Sequence, residues 1–103
     1  MRATRVQYTT TAAFAPINQA NIAGIVKELK ELNHPGIKCS TWLLPDGKTF
    51  MHFDQFENEE AHDVLISLAS FKKFDEALWA SGLEADPVLE HVTLVAATET
   101  FYK

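Results

Sequence analysis

One cysteine, four glycines and four prolines among 103 residues exclude several kinds of protein at once. A single thiol cannot close an internal disulfide, so this is not a small secreted domain stapled by cystines. So few glycines and prolines also exclude collagen-like and low-complexity chains. Positive charge is scarce as well: nine Lys and Arg stand against fourteen Asp and Glu, for a net charge of -5. Those cations are scattered and form no basic stripe, so no nucleic-acid partner is expected. No apolar run reaches the length of a membrane-spanning helix, and the opening residues MRATRVQYTT lack the apolar stretch of a signal peptide. The expectation is a cytoplasmic chain with no membrane partner. A glycine-rich phosphate loop, a serine elbow and zinc-ligand spacing are also missing, so the sequence carries no strong catalytic signature.

What is present is a foldable core. A hydrophobic fraction of 47% with mean hydropathy of -0.09 fits one globular domain spanning residues 1–103. Arg5 to Thr11 is rich in β-branched and aromatic residues and reads as a first strand. Pro16 and Asn18 offer a helix start, after which Ile22, Ile25, Val26, Leu29 and Leu32 recur at helical spacing opposite Lys27, Glu28, Lys30 and Glu31. Asn33, Pro35 and Gly36 end that helix. Gly36 to Phe56 reads as a hairpin turning at Pro45, Asp46 and Gly47. Asn58 caps a second helix with Glu57, Glu59, Glu60 and Asp63 around its first turn, and Ser70 is expected to cap a further segment through Leu78. Gly82 and Pro87 end it, and His91 to Phe101 is the expected last strand, apolar on both faces.

Strand, helix, strand, strand, helix, strand is the α+β, ferredoxin-like βαββαβ order, with a four-stranded antiparallel sheet. Two helices cover only one face of such a sheet. The other face needs a partner, and a second copy related by a two-fold axis is the simplest, giving a dimeric α/β barrel. A glycine bulge in the turn would set Leu44 opposite Lys48. That register places Trp42, Ser40 and Lys38 with Phe50, His52 and Asp54 on one face, and Leu43, Thr41, Cys39 and Ile37 with Thr49, Met51 and Phe53 on the other. The face with Trp42 and His52 mixes aromatics with titratable groups and is expected to wall a pocket inside the barrel. The opposite face reads as core, so Cys39 is expected to be a buried structural thiol.

The segments KTFMHFDQF, ENEEAHDVL, SFKKFDEAL and HVTLVAATETF, in that order, resemble the dimeric α/β-barrel superfamily from Arg5 to Phe101. Within it the chain is similar to small proteins related to antibiotic-biosynthesis monooxygenases. That resemblance implies a cofactor-free oxygenase acting on an aromatic or quinol substrate; an isomerase of the same superfamily or a non-catalytic dimer binding a small hydrophobic ligand is the alternative. Haem-degrading relatives use a first-strand asparagine, a tryptophan and a later histidine. Here the first strand has Gln7 and no asparagine, the segment just before His62 contains no tryptophan, and only His62 lies in a comparable place. No haem, metal or other cofactor is therefore expected.

His52 leads the candidates, since a mid-strand imidazole among aromatics can act as acid, base or hydrogen-bond donor at neutral pH. Its structural alternative is a core histidine bonded to Ser40 or a backbone carbonyl. Asp54, two residues on, is the second catalytic candidate, able to orient His52 or take its proton. Trp42 and Phe50 would stack a planar substrate between them, with Trp42 equally suited to an interface between copies. Ser40, Tyr8 and His62 complete the expected substrate site, although in the other register Gln7 would replace Tyr8. His52, Asp54 and His62 as an iron set match no metal-ligand spacing.

Overall fold

In a computed structural model, residues 1–99 are described. The chain forms β1 (Arg2–Thr9), α1 (Ala15–Leu32), β2 (Ile37–Leu43), β3 (Thr49–Phe56), α2 (Glu59–Ser67), α3 (Ala69–Ala80) and β4 (Ala85–Val92). The strands make one antiparallel sheet in the order β2-β3-β1-β4, the ferredoxin-like arrangement, with the second helical region split in two. No helix among the described residues is long and apolar enough to cross a membrane.

Local chemistry explains most boundaries. Pro16 sits in the first turn of α1, where its missing N–H costs nothing, and Asn33 closes the helix at φ 53° with its N–H bonded to the Leu29 carbonyl. Asn58 caps α2 by accepting the Ala61 N–H at 2.9 Å, with Glu59 and Glu60 in the favoured acidic first turn. Ser70 does not cap α3. The chain breaks at Leu68 (ψ 140°), and Ser70 instead donates from both its N–H and its hydroxyl to Glu28 Oε1 on α1. One carboxylate thus ties α1 to α3.

The hairpin register differs from expectation by one residue. Asp46 Oδ1 accepts the N–H groups of Lys48 (3.0 Å) and Thr49 (2.8 Å), and Leu44 N–H bonds to the Thr49 carbonyl. The loop therefore takes four residues, 45–48, with Gly47 at φ 75°. Thr41 then lies opposite His52 and Trp42 opposite Met51. Because side chains alternate with period two, a one-residue slip moves all of β2 to the other face relative to β3.

The last strand also lies earlier than expected, at Ala85–Val92 in place of His91 to Phe101. β1 begins at Arg2, and Ala3 already pairs with Val92, so later residues have little left to pair with. Pro87 is tolerated because β4 is an edge strand and its register shifts between the partners of Gln7 and Thr9. Thr100 and Phe101 lie outside the described residues.

All three helices lie on one face, over a core containing Tyr8, Ile25, Phe50, Phe56, Leu65, Phe74 and Leu78. The other face carries Trp42, Phe53, Val88 and Val92, all exposed. Phe50, expected there, is only 1% exposed beneath the helices, whereas Trp42 is 60% exposed. Replacement of Gly47 tests the turn: an added Cβ meets nothing within 4 Å but holds a positive φ. Gly47→Ala should lower the urea-unfolding free energy by about 1 kcal/mol, and an unchanged midpoint would contradict this turn geometry.

Candidate active site

The helices stand off the sheet and leave a cavity of about 390 Å³ over the strand faces of β1, β3 and β2. That volume is at the small end of the range of ~300–1,000 Å³ typical of ligand sites. Val6, Ile25, Leu29, Phe71, Phe74 and Leu78 make most of its wall apolar. Polar groups enter it from neighbouring strands because inward positions fall in register: Tyr8 pairs with Phe50, Val6 with His52 and Thr4 with Asp54.

Across this wall runs a hydrogen-bonded row. His52 Nε2 lies 2.8 Å from Tyr8 Oη, and its Nδ1 lies 2.8 Å from Thr41 Oγ1. Fully buried Asn18, on α1, donates from Nδ2 to Tyr8 Oη at 2.9 Å. Tyr8 stacks on Phe50 and on His52, and Phe74 meets the imidazole edge-on at 5.7 Å. The ring is fixed on every side.

Donor counting shows what the row can do. If Tyr8 donates to Nε2, then Nδ1–H donates to Thr41 and the Thr41 hydroxyl proton is free. If Thr41 donates to Nδ1, then Nε2–H donates to Tyr8, which already accepts from Asn18 and so has its own proton free. In either tautomer one hydroxyl remains as a donor, and a shift between tautomers moves a proton from one end to the other. Burial pushes the His52 pKa down to about 4 and the Tyr8 hydroxyl up, the latter partly offset by the Asn18 bond. His52 is a neutral imidazole at pH 7.

Asp54 lines the same cavity two residues along β3. It faces Cys39 across the β2–β3 ladder. Burial raises the Asp54 pKa, opposed by the Cys39 thiol and by His62; the Cys39 pKa rises through burial first and the Asp54 charge second. His62, on α2, reaches the cavity wall edge-on against Phe56 at 5.2 Å.

Of the expected site residues, Tyr8, Phe50, His52, Asp54 and His62 share the helix-covered face, not the uncovered barrel face expected for Phe50, His52 and Asp54, and Tyr8, not Gln7, points inward. Trp42 does not join them, and Ser40 borders the cavity without turning its hydroxyl into it. Their side chains lie on the opposite face, where Trp42 Nε1 donates to Ser40 Oγ at 3.2 Å. No Trp42–Phe50 sandwich exists, and Ser40 is not the partner of His52. Thr41 takes that place, as a consequence of the register. Asn18, which the sequence marks only as part of a helix start, supplies the buried donor to Tyr8.

His52 is an unsuitable metal ligand, since both ring nitrogens are already engaged. Glu59, His62 and Asp63 bring ligand atoms within 4.8 Å of one another, but Glu59 is bonded to Arg2 and the two acids are exposed at a helix start.

Scanned against models of protein families, the sequence matches none, and no curated protein matches it. Solved structures do. One of an antibiotic biosynthesis monooxygenase superposes with a TM-score of 0.77 at 12% identity, covering 93% of this chain and 100% of that one. A protein of Bacteroides thetaiotaomicron provisionally given the same name reaches 0.82 at 13% identity, covering 96% and 93%. A Mycobacterium tuberculosis protein, Rv0793, gives 0.76 at 9%, covering 95% and 98%. The fold is that of the antibiotic-biosynthesis-monooxygenase-like proteins. At such identities the likeness describes the monooxygenase-like backbone and leaves the side chains of this cavity to be read for themselves.

Suppressed protonation of His52 has a consequence for stability. With a folded pKa of about 4 against an unfolded value near 6.5, the unfolded chain binds the extra proton between those values. The neutral histidine's contribution is intact above pH 6.5 and is lost as pH falls toward 4, by about 3 kcal/mol. Asp54, with its pKa raised, works in the opposite direction at the acid end. Urea unfolding at a series of pH values should show a rise in stability from pH 4 to 6.5 that is smaller by this amount in His52→Gln. Parallel profiles for the two proteins would contradict it.

Proposed function

We propose that this protein is a small-molecule enzyme of the cofactor-free monooxygenase kind, acting on a planar aromatic hydroxyl compound, an anthrone or a quinol, in the cavity beneath its helices. The observation that carries this reading is a neutral imidazole held between two hydroxyls on the wall of an otherwise apolar chamber. Oxygenation of an activated ring CH₂, present in an anthrone and in the keto tautomer of a quinol, consumes one O₂: one oxygen atom becomes the carbonyl and the other leaves as water with the two hydrogens. No outside reductant is needed. The protein's part is to exclude water, orient the ring and steady the oxyanion formed as the substrate loses its proton. A histidine whose pKa falls from 6.5 to about 4 is a base weakened by about two and a half powers of ten. It therefore serves to relay a proton and keep a hydroxyl donor aimed at the oxyanion.

An isomerase using His52 and Asp54 as a direct acid/base pair is not favoured, because His52 spends its nitrogens on Tyr8 and Thr41. That same saturation supports a second reading, a non-catalytic carrier of a small hydrophobic ligand. In either case we place the protein in the cytoplasm, where the single thiol of Cys39 stays reduced. We also propose that it works as a homodimer joined through the outer sheet face. Trp42, Phe53, Val88 and Val92 are exposed there around the Arg5–Glu90 ion pair, an aromatic and apolar surface suited to a second copy.

Oxygen uptake with anthrone or a naphthalene quinol decides between turnover and carriage. Wild type should consume oxygen, and His52→Ala and Tyr8→Phe should each slow it by at least tenfold; binding with no uptake would favour the carrier. Sedimentation should show a dimer that Trp42→Glu with Phe53→Glu converts to a folded monomer, and a wild-type monomer at high concentration would contradict the interface.

A further inference from the structure

Asp54 is the cavity's second polar station, and its surroundings select what kind of ligand it meets. His52 and Asp54 alternate on one face of β3, so they stand ~7 Å apart along the strand. That backbone spacing is of the same order as the length of a six-membered ring carrying an oxygen at each end. The remaining charged or titratable groups on the wall, among the described residues, are Arg2 and Tyr8 on β1, Cys39 on β2, His62 on α2 and Asp75 on α3. Arg2 is the one permanent cation and is engaged by Glu59 through Nη1 at 2.8 and 2.9 Å. A ligand carboxylate would meet Asp54 and Asp75 with only Arg2 to offset them, a cation already shared with Glu59 that keeps one buried, unpartnered Nε. A neutral hydroxyl or carbonyl meets no such penalty.

Resting on the reading that the cavity binds an aromatic hydroxyl compound, we propose that Asp54, backed by Cys39, is the specificity-determining residue that recognises a second oxygen on the far side of the ligand ring from the Tyr8–His52–Thr41 row. The thiol stands across the ladder from the carboxyl and leaves its other oxygen lone pairs to the ligand. Ionised, Asp54 accepts from a ring hydroxyl. Protonated, it donates to a ring carbonyl. In both states a ligand with a single oxygen leaves a half-buried carboxyl without its partner, which costs affinity.

The test compares 1,4-dihydroxynaphthalene with 1-naphthol, titrated under nitrogen by calorimetry so that binding is read without turnover. Wild type should bind the two-oxygen probe ~10-fold more tightly. Asp54→Leu should bring that ratio close to one and Asp54→Asn should restore most of it, whereas His52→Gln should weaken both probes and keep the ratio. Equal affinities in wild type, or a ratio that survives Asp54→Leu in a folded protein, would overturn the proposal. Should the ratio behave as expected while no oxygen is consumed in air, the role of Asp54 stands and the oxygenase reading falls. Should neither probe bind, both fall.

Discussion

Everything in the arrangement of this site follows from how one turn closes. The Asp46 carboxylate takes the N–H groups of Lys48 and Thr49, and its other oxygen takes the Thr49 hydroxyl. This fixes a four-residue loop and pairs Leu43 with Phe50. Strand side chains alternate strictly, so this choice decides the whole hairpin. Thr41 and Cys39 go beneath the helices to meet His52 and Asp54, while Trp42 and Ser40 go to the open face. A loop one residue shorter would have exchanged the two sets.

The helical roof above the cavity packs on the sheet through one shared core and is also tied across its top. Glu28 on α1 holds the start of α3 through Ser70, and Leu68 breaks the second helical region so that α3 can follow its own course. Large side chains such as Phe74 and Leu78 fill the edges. His52 sits there as a neutral ring because each of its nitrogens has a partner, whereas Asn18 Oδ1 and Arg2 Nε are buried without one among the described residues. A half-buried imidazole with both nitrogens bonded is a poor free base, yet it is suited to hold a hydroxyl at a fixed angle and to exchange protons along a line. The chemistry proposed for the chamber is matched to that modest capacity.

Much of the architecture was legible in the residues. The 3.6-residue spacing of Ile22, Ile25, Leu29 and Leu32, the Asn33 stop and the Asn58 cap mark helices that the structure contains, and the element order implied the sheet topology. His52 and Tyr8 could be singled out because a histidine and a tyrosine amid apolar strand positions need partners. Thr41 could not, since Pro-Asp-Gly reads as a shorter loop with a bulge, and nothing in the sequence shows the Asp46 side chain drawing Lys48 into the turn. The last strand was misplaced for a related reason. HVTLVAATETF is apolar enough to pair, but pairing needs a neighbour, and β1 provides hardly any beyond Val92. Pro87, which argued against a strand, is accommodated at an irregular point of an edge.

The two faces of the sheet thus differ: a helix-covered side with a hydrogen-bonded polar row along its cavity, and an open side where Trp42, Phe53 and Val88 are exposed. The direct check of that division is the imidazole of His52 itself, followed by nitrogen-15 NMR. A ring that stays neutral down to about pH 4, and whose Nδ1 signal moves in Thr41→Val but not in Ser40→Ala, is the predicted result. Titration near pH 6.5 with sensitivity to Ser40 and indifference to Thr41 would place the histidine on the other side of the sheet and contradict the account.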